Sequence, residues 1–125
     1  MKLRIKGNSI RLRLSRAEVA TLRGGGAITD ATRFPGGESL GYELCCDAGI
    51  AVLNATVAAG TLRIMLPQAA VARWAASEEV AVGADLPLAA GTLSVLVEKD
   101  FPCSSDRICS DDEDTFAPDR LRVDR

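Results

Sequence analysis

The sequence predicts an α+β fold, mainly antiparallel β, in which two strand-strand-helix-strand-strand repeats with pseudo-twofold symmetry form a sandwich or barrel-like core. Three observations support this prediction. Residues 1–44 resemble residues 50–97, residues 1–14 alternate apolar and polar side chains with the period of a strand, and a helix start follows at Ser15. A repeat constrains the architecture strongly, because each copy must supply one supersecondary unit to a shared core.

The repeat is visible as similar residues that stand 52 positions apart, for example 62 − 10 = 52. Strand and helix positions both follow this offset, in the pairs Ile10 and Leu62, Val19 and Val71, Leu22 and Trp74, and Ile28 and Val80. We therefore expect Leu22 and Trp74 to occupy equivalent buried positions on two helices.

The first unit begins with a β-hairpin in residues 1–14, where the alternation continues on both sides of a turn at residues 7–9. At Ser15 the pattern changes to that of a helix. Ser15 and Glu18 form a capping box, in which each side chain accepts the other residue's free backbone N–H. Gly24 ends this short helix, because glycine adopts the backbone conformations of a helix C-terminus at little cost.

The remaining elements follow from the same patterns. Strands 27–34 and 38–45 complete the first unit, and the second unit contains strands 50–57 and 61–66, a helix at 67–77, and strands 79–84 and 92–101. The runs 50–57 and 93–97 are apolar on both faces, which predicts central strands. The N-terminal hairpin is expected to be more exposed.

Length and composition indicate one domain, residues 1–101, followed by a polar and acidic C-terminal loop or tail, residues 102–125. The formal net charge of −2 gives no reason to expect nucleic acid as a partner. Lys2, Arg4 and Lys6 interrupt the apolar residues of the first segment, so it does not resemble a signal peptide. We expect a cytoplasmic protein without a membrane segment.

One predicted surface could bind a ligand. Five basic residues of the hairpin are expected on the face opposite its apolar residues: Lys2, Arg4, Lys6, Arg11 and Arg13. Like charges across strands are mildly unfavourable, so they should be neutralised. Three means remain open: acidic groups of the chain itself, namely Glu43, Glu98, Asp100 or the acidic tail; screening by water and salt; and an external ligand that is a small anion or an acidic protein partner. No aromatic residues interleave with the basic ones, which argues against binding of single-stranded nucleic acid.

The cysteines form a second candidate site. The chain has no histidine, which excludes Ser-His-Asp and Cys-His catalysis and mixed His/Cys zinc sites. Cys45 and Cys46 are adjacent, so on a strand their thiols point to opposite faces. Cys103 and Cys109 lie in a polar segment near Asp111 and Glu113. Free thiols, a redox disulfide, and a site for zinc or another thiophilic metal are the three interpretations.

Enzymes that hydrolyse polyphosphates inside a tunnel are another class of protein built on eight antiparallel strands. Such enzymes hold a divalent metal with alternating glutamates near the N-terminus, whereas residues 2–6 of this chain contain no acid. Glu98 and Asp100 are the carboxylates that stand at a suitable alternate spacing. The sequence therefore favours a non-enzymatic role.

Three segments resemble a small family of uncharacterised bacterial proteins: Met1-Lys-Leu-Arg-Ile-Lys-Gly-Asn-Ser-Ile-Arg-Leu-Arg-Leu14, Phe34-Pro-Gly-Gly37 and Val97-Glu-Lys-Asp-Phe-Pro-Cys103. The resemblance covers most of the chain. It implies a compact bacterial cytoplasmic protein and carries no activity, substrate or catalytic residue.

These observations predict a small non-enzymatic binding or protein-interaction module that needs no cofactor and binds an anion through the basic hairpin. The alternative is a cysteine-based metal-binding or thiol redox protein. An open sheet edge would also allow a homodimer.

Overall fold

The computed structural model of the 125-residue chain describes residues 1–100. In this part the order strand, strand, helix, strand, strand occurs twice. The elements are β1 (Lys2–Lys6), β2 (Ser9–Leu14), α1 (Arg16–Arg23), β3 (Ile28–Arg33), β4 (Ser39–Asp47), β5 (Asn54–Ala58), β6 (Thr61–Pro67), α2 (Gln68–Ala76), β7 (Ala81–Pro87) and β8 (Thr92–Lys99). The predicted tail, residues 102–125, lies outside the described residues.

The strands form two four-stranded mixed sheets. Sheet A has the order β1-β2-β8-β7, and sheet B has the order β3-β4-β6-β5. Each sheet joins a hairpin from one half of the chain to a hairpin from the other half through one parallel pair, β2 with β8 or β4 with β6. The hairpins themselves are antiparallel. The α+β prediction is confirmed.

The barrel-like alternative is wrong. A barrel closes only when its first and last strands pair, and within residues 1–100 each sheet has two edge strands, β1 and β7 in sheet A and β3 and β5 in sheet B. The physical reason is that each half of the chain contributes one hairpin to each sheet. The eight strands are therefore divided between two open sheets and do not form one closed sheet.

The first helix begins as the sequence predicts. The hydroxyl of Ser15 accepts the backbone N–H of Glu18 at 3.2 Å, and the Glu18 carboxylate accepts the backbone N–H of Ser15 at 2.9 Å. The terminal ammonium of Met1 also donates to Glu18, which links the start of β1 to the start of α1. At the other end of the helix, the backbone N–H of Gly24 donates to Ala20 O at 3.0 Å.

The second helix is held by its packing. Pro67 precedes it without a side-chain capping bond, and its inward residues Val71 and Trp74 are buried. The indole Nε1 of Trp74 donates to Val80 O at 3.1 Å, and the Lys99 ammonium lies 5.6 Å from the centre of the indole ring. Among residues 1–100, neither helix combines the length and the apolar character needed to cross a bilayer.

One apolar cluster connects both sheets and both helices. Its buried members are Ile10, Leu12, Leu14, Leu22, Ile28, Leu44, Leu53, Leu62, Ile64, Leu66, Val71, Trp74, Val95 and Val97. Full burial of a Leu, Ile or Val side chain contributes about 1.5–3 kcal/mol, so this cluster is the main source of stability. Leu22 and Trp74 are both fully buried in it.

Two details of the predicted core are wrong. The run 50–57 is not a central strand: β5 begins at Asn54, lies at the edge of sheet B and leaves Val57 72% exposed. Val80 precedes β7 and is 50% exposed, whereas Ile28 is buried, so these two residues do not correspond. Hydropathy alone could not locate a sheet edge, because pairing with distant strands decides which strand is central. The prediction that the run 93–97 is central is confirmed, since β8 lies between β2 and β7.

Candidate functional site: a basic sheet face

The structure places the five predicted basic residues on one side of sheet A. In the β1–β2 hairpin, Arg4 lies directly opposite Arg11, Lys2 lies opposite Arg13, and Lys6 lies opposite Ser9. Residues directly opposite in a sheet project to the same side, and the apolar partners Leu3 and Leu12 project to the other side. We call the outer surface formed by Lys2, Arg4, Lys6, Arg11 and Arg13 the basic face.

The parallel pairing of β2 with β8 extends this surface across the sheet. Three rows run from β1 through β2 and β8 to β7: Lys2-Arg13-Glu98-Ala81, Arg4-Arg11-Leu96-Gly83 and Lys6-Ser9-Ser94-Asp85. The basic residues therefore occupy one half of the outer surface. Small, hydroxyl-bearing and acidic residues occupy most of the other half.

Carboxylates of the chain neutralise one end of the basic face. Nε of Arg13 donates to Oε1 of Glu98 at 3.2 Å, and the same oxygen lies 3.8 Å from Nε of Arg11. At the sheet edge, Nζ of Lys2 lies 2.9 Å from Oδ2 of Asp100. Two of the proposed acidic partners, Glu98 and Asp100, thus contact the basic face.

Glu43, the third proposed partner, does not contact the basic face. It lies in β4 of sheet B, where its Oε1 accepts from Nε of Arg63 at 3.1 Å. The sequence alone did not show that Glu43 belongs to sheet B. The two hairpins of each half join different sheets, and that division is established only when the chain folds.

Three of the five basic residues line a depression on the basic face. Arg4, Lys6, Ser9 and Arg11 enclose about 180 Å³. A second depression of about 430 Å³ continues from Ser9 and Arg11 across β8 to β7. Three side chains of this second depression were not singled out from the sequence: Asp85, Ser94 and Leu96. Their relation to the hairpin depends on the pairing of β2 with β8, which has no local sequence signal.

The adjacent cysteines occupy opposite sides of sheet B, as predicted. Cys46 faces the core, and its thiol donates to Leu22 O at 3.4 Å. Cys45 lies on the outer side beside Met65. Burial raises the pKa of the Cys45 thiol, and the nearby Glu43 carboxylate raises it further, so the thiolate is disfavoured.

The predicted metal or redox residues Cys103, Cys109, Asp111 and Glu113 lie outside the described residues. Within residues 1–100, no group of three or more Cys, Asp or Glu side chains is arranged to hold a metal ion.

A groove beside α1 is a further feature that the sequence did not indicate. It encloses about 760 Å³, and its apolar part includes Leu14, Val19 and Ala75. Arg16, Arg23 and Lys99 stand at its charged boundary together with Glu78 and Asp100. The helices of the two halves meet near this groove.

Taken together, the topology and the surface define a small mixed-sheet α+β protein with one basic sheet face. The chain belongs to the Family of unknown function (DUF7009), whose model matches residues 1–120. This confirms the resemblance to an uncharacterised family that the terminal segments indicated. No curated protein and no solved structure matches the chain.

Proposed function

We propose that this protein is a non-enzymatic binding module whose basic face binds an anion. The observation that carries the proposal is the direct opposition of Arg4 and Arg11, with Lys6 on the same strand as Arg4. Two guanidinium groups side by side can both donate to one anion, in charge-assisted hydrogen bonds that are stronger than neutral ones. The pairing of β1 with β2 already places both donors on one face.

The chemistry of the face favours phosphate or sulfate groups. A guanidinium group offers planar pairs of N–H donors that match two oxygens of such an anion. Ser9 adds a hydroxyl at the edge of the same depression. Arg4, Lys6 and Arg11 line this depression together with Ser9, so this end of the basic face is the part that we assign to the ligand.

Isothermal titration of the full chain with inorganic phosphate tests the proposal. Arg11→Gln should weaken binding at least about fivefold, because one charge-assisted contact is lost. Arg63→Gln is the matched control, since Arg63 also projects from the second strand of a hairpin and also contacts a glutamate, Glu43, but lies in sheet B. Equal weakening by both substitutions, or no binding by the unsubstituted protein, would contradict the proposal.

We further infer that the two halves are copies of one unit related by a pseudo-twofold axis. Exchanging the halves converts the order β1-β2-β8-β7 into β5-β6-β4-β3, which is the order of sheet B. The inner rows support the same exchange, since Leu12-Val97-Val82 corresponds to Ile64-Leu44-Ile28. Superposing residues 1–44 on residues 50–97 of an experimental structure should align both helices and at least three strands. Helices in unrelated surroundings would exclude the repeat.

We place this module in the bacterial cytoplasm. The support is the bacterial family that the terminal segments resemble, because that resemblance implies a cytoplasmic protein. Fractionation of the native host with an antibody against the chain tests the location. Recovery in an extracytoplasmic fraction would contradict it.

A further inference from the structure

We propose that the anion at the basic face is one end of a bipolar ligand, a phosphate monoester whose other end carries an amino or hydroxyl group received by Asp85. This inference rests on the proposed function and specifies the class of ligand. It uses the half of the outer surface of sheet A that the basic residues do not occupy.

The positions of the charged residues define the two ends of the site. The row Lys6-Ser9-Ser94-Asp85 begins with a cation on β1 and ends with a carboxylate on β7. Neighbouring strands are about 4.8 Å apart, so three steps separate Lys6 and Asp85 by about 14 Å at the backbone. Arg11 lies one strand closer to Asp85, and long side chains shorten the span further.

The surface between these ends is continuous. The two depressions share Ser9 and Arg11, and the larger one reaches Asp85. Gly83 adds no side chain to the larger depression, which the Leu96 side chain also lines. A Cβ at this position would lie 2.3 Å from Val95 O, so the close approach of β7 to β8 requires glycine.

The Asp85 carboxylate at the acidic end of the site can accept a hydrogen bond from a ligand. Oδ1 of Asp85 accepts the hydroxyl of Ser94 at 2.7 Å, which fixes the position of the carboxylate. An ionised carboxylate has further acceptor sites and no donor. An ammonium or hydroxyl group of a ligand satisfies that remaining capacity, whereas a second anionic group would be repelled.

This charge distribution selects among anions. A polyphosphate or an acidic peptide laid along the row would carry negative charge over Asp85 and lose affinity by repulsion. A ligand with its negative charge at one end only, and a donor at the other, is complementary to both ends. The observations therefore favour an amino- or hydroxyl-bearing phosphate monoester over an extended polyanion.

The test compares 6-aminohexyl phosphate, whose chain is long enough to cross neighbouring strands, with hexyl phosphate, which has a similar size but no amino group, in calorimetric titrations of the full chain. The amino compound should bind about fivefold more tightly, because it adds one contact to a charged acceptor. Asp85→Asn, which retains an acceptor for Ser94, should remove this difference between the two compounds. Circular dichroism of the variant confirms that it is folded.

The outcomes separate this inference from the proposed function. Equal affinities of the unsubstituted protein for the two compounds would overturn the bipolar ligand and leave anion binding in place. Equal weakening of both compounds by Asp85→Asn would also overturn it, since that result indicates a structural role for Asp85. Binding of neither compound would remove the proposed function itself.

Discussion

Arg13 and Glu98 form an ion pair on the outer side of sheet A, with 3.2 Å between Nε and Oε1. The two residues lie opposite each other in the parallel pair β2–β8, so the contact joins strands from opposite ends of the described chain. Both side chains are largely buried, with 17% and 15% of their surface exposed. Because Oε1 also lies 3.8 Å from Arg11, Glu98 competes with any external anion for the basic face.

Removal of this internal competitor should strengthen anion binding. We expect Glu98→Gln to raise the affinity for inorganic phosphate about threefold, because one negative charge near Arg11 is lost while the side-chain shape is kept. The same variant should be less stable by about 1 kcal/mol, since Arg13 loses a charged acceptor. Phosphate titration and urea unfolding measure the two effects. Glu43→Gln in sheet B is the control and should leave phosphate affinity unchanged; weaker binding by Glu98→Gln would contradict the competition.

The capping box makes stability depend on pH in a defined direction. Burial alone would raise the pKa of Glu18, but hydrogen bonds from the terminal ammonium and from Ser15 outweigh it and lower the pKa below its ordinary value of 4.5. A lowered folded-state pKa contributes stability above the unfolded-state value, and this contribution is lost as pH falls through the folded-state pKa. Glu18→Gln should therefore cost about 1 kcal/mol at neutral pH and less at about pH 3, where the contribution of the charged carboxylate has begun to fall.

Urea unfolding at the two pH values measures this difference. Glu38→Gln, which removes a carboxylate from the exposed turn between β3 and β4, is a suitable control. A cost for Glu18→Gln that is the same at both pH values would show that its charge does not contribute.

The turn between β5 and β6 contains a strained residue. Ala59 has a φ of 52°, in the left-handed region where its Cβ approaches a carbonyl oxygen. We expect Ala59→Gly to stabilise the protein by about 0.5–1 kcal/mol, measured by thermal and urea unfolding. The reciprocal change Gly7→Ala, at a φ of 55° in the β1–β2 turn, should destabilise by a similar amount. No neighbouring atom lies within 4 Å of a Cβ at Gly7, so the effect isolates backbone strain. Destabilisation by Ala59→Gly would refute this account of the turn.

The adjacent cysteines should react at different rates. Cys45 lies on the outer side of sheet B, whereas Cys46 faces the core and donates to Leu22 O. Alkylation of the native protein followed by mass spectrometry should modify Cys45 before Cys46. Labelling of Cys45 should accelerate with pH, because burial and Glu43 raise its pKa. Cys103 and Cys109 are predicted to react before either of them. Faster labelling of Cys46 than of Cys45 would indicate that Cys46, and not Cys45, lies on the outer side of sheet B.

Local patterns in the sequence were sufficient to predict much of this fold. The alternation in residues 1–14 predicted which side chains of the first hairpin share a face, and the Ser15–Glu18 spacing predicted the start of α1. Both features depend on residues that are close in the chain. For the same reason the five basic residues could be assigned to one surface before the structure was known.

The long-range pairing could not be predicted in this way. The parallel pairs β2–β8 and β4–β6 depend on which hairpins meet after folding, and no local residue pattern encodes that choice. For the same reason, the sequence did not show that Asp85 lies near the basic hairpin or that Glu43 belongs to sheet B. The edge position of β5 was missed because the predicted strand 50–57 included the apolar residues 50–53, which precede β5 in the structure.

The location of anion binding tests the central claim most directly. In ¹H–¹⁵N NMR spectra of the full chain titrated with inorganic phosphate, we expect saturable shifts concentrated at the amides of Arg4, Lys6, Ser9 and Arg11. Residues on the outer side of sheet B, such as Arg63, should not change. Saturable shifts confined to sheet B or to the groove beside α1, or no saturable shifts at all, would contradict the assignment of the ligand to the basic face.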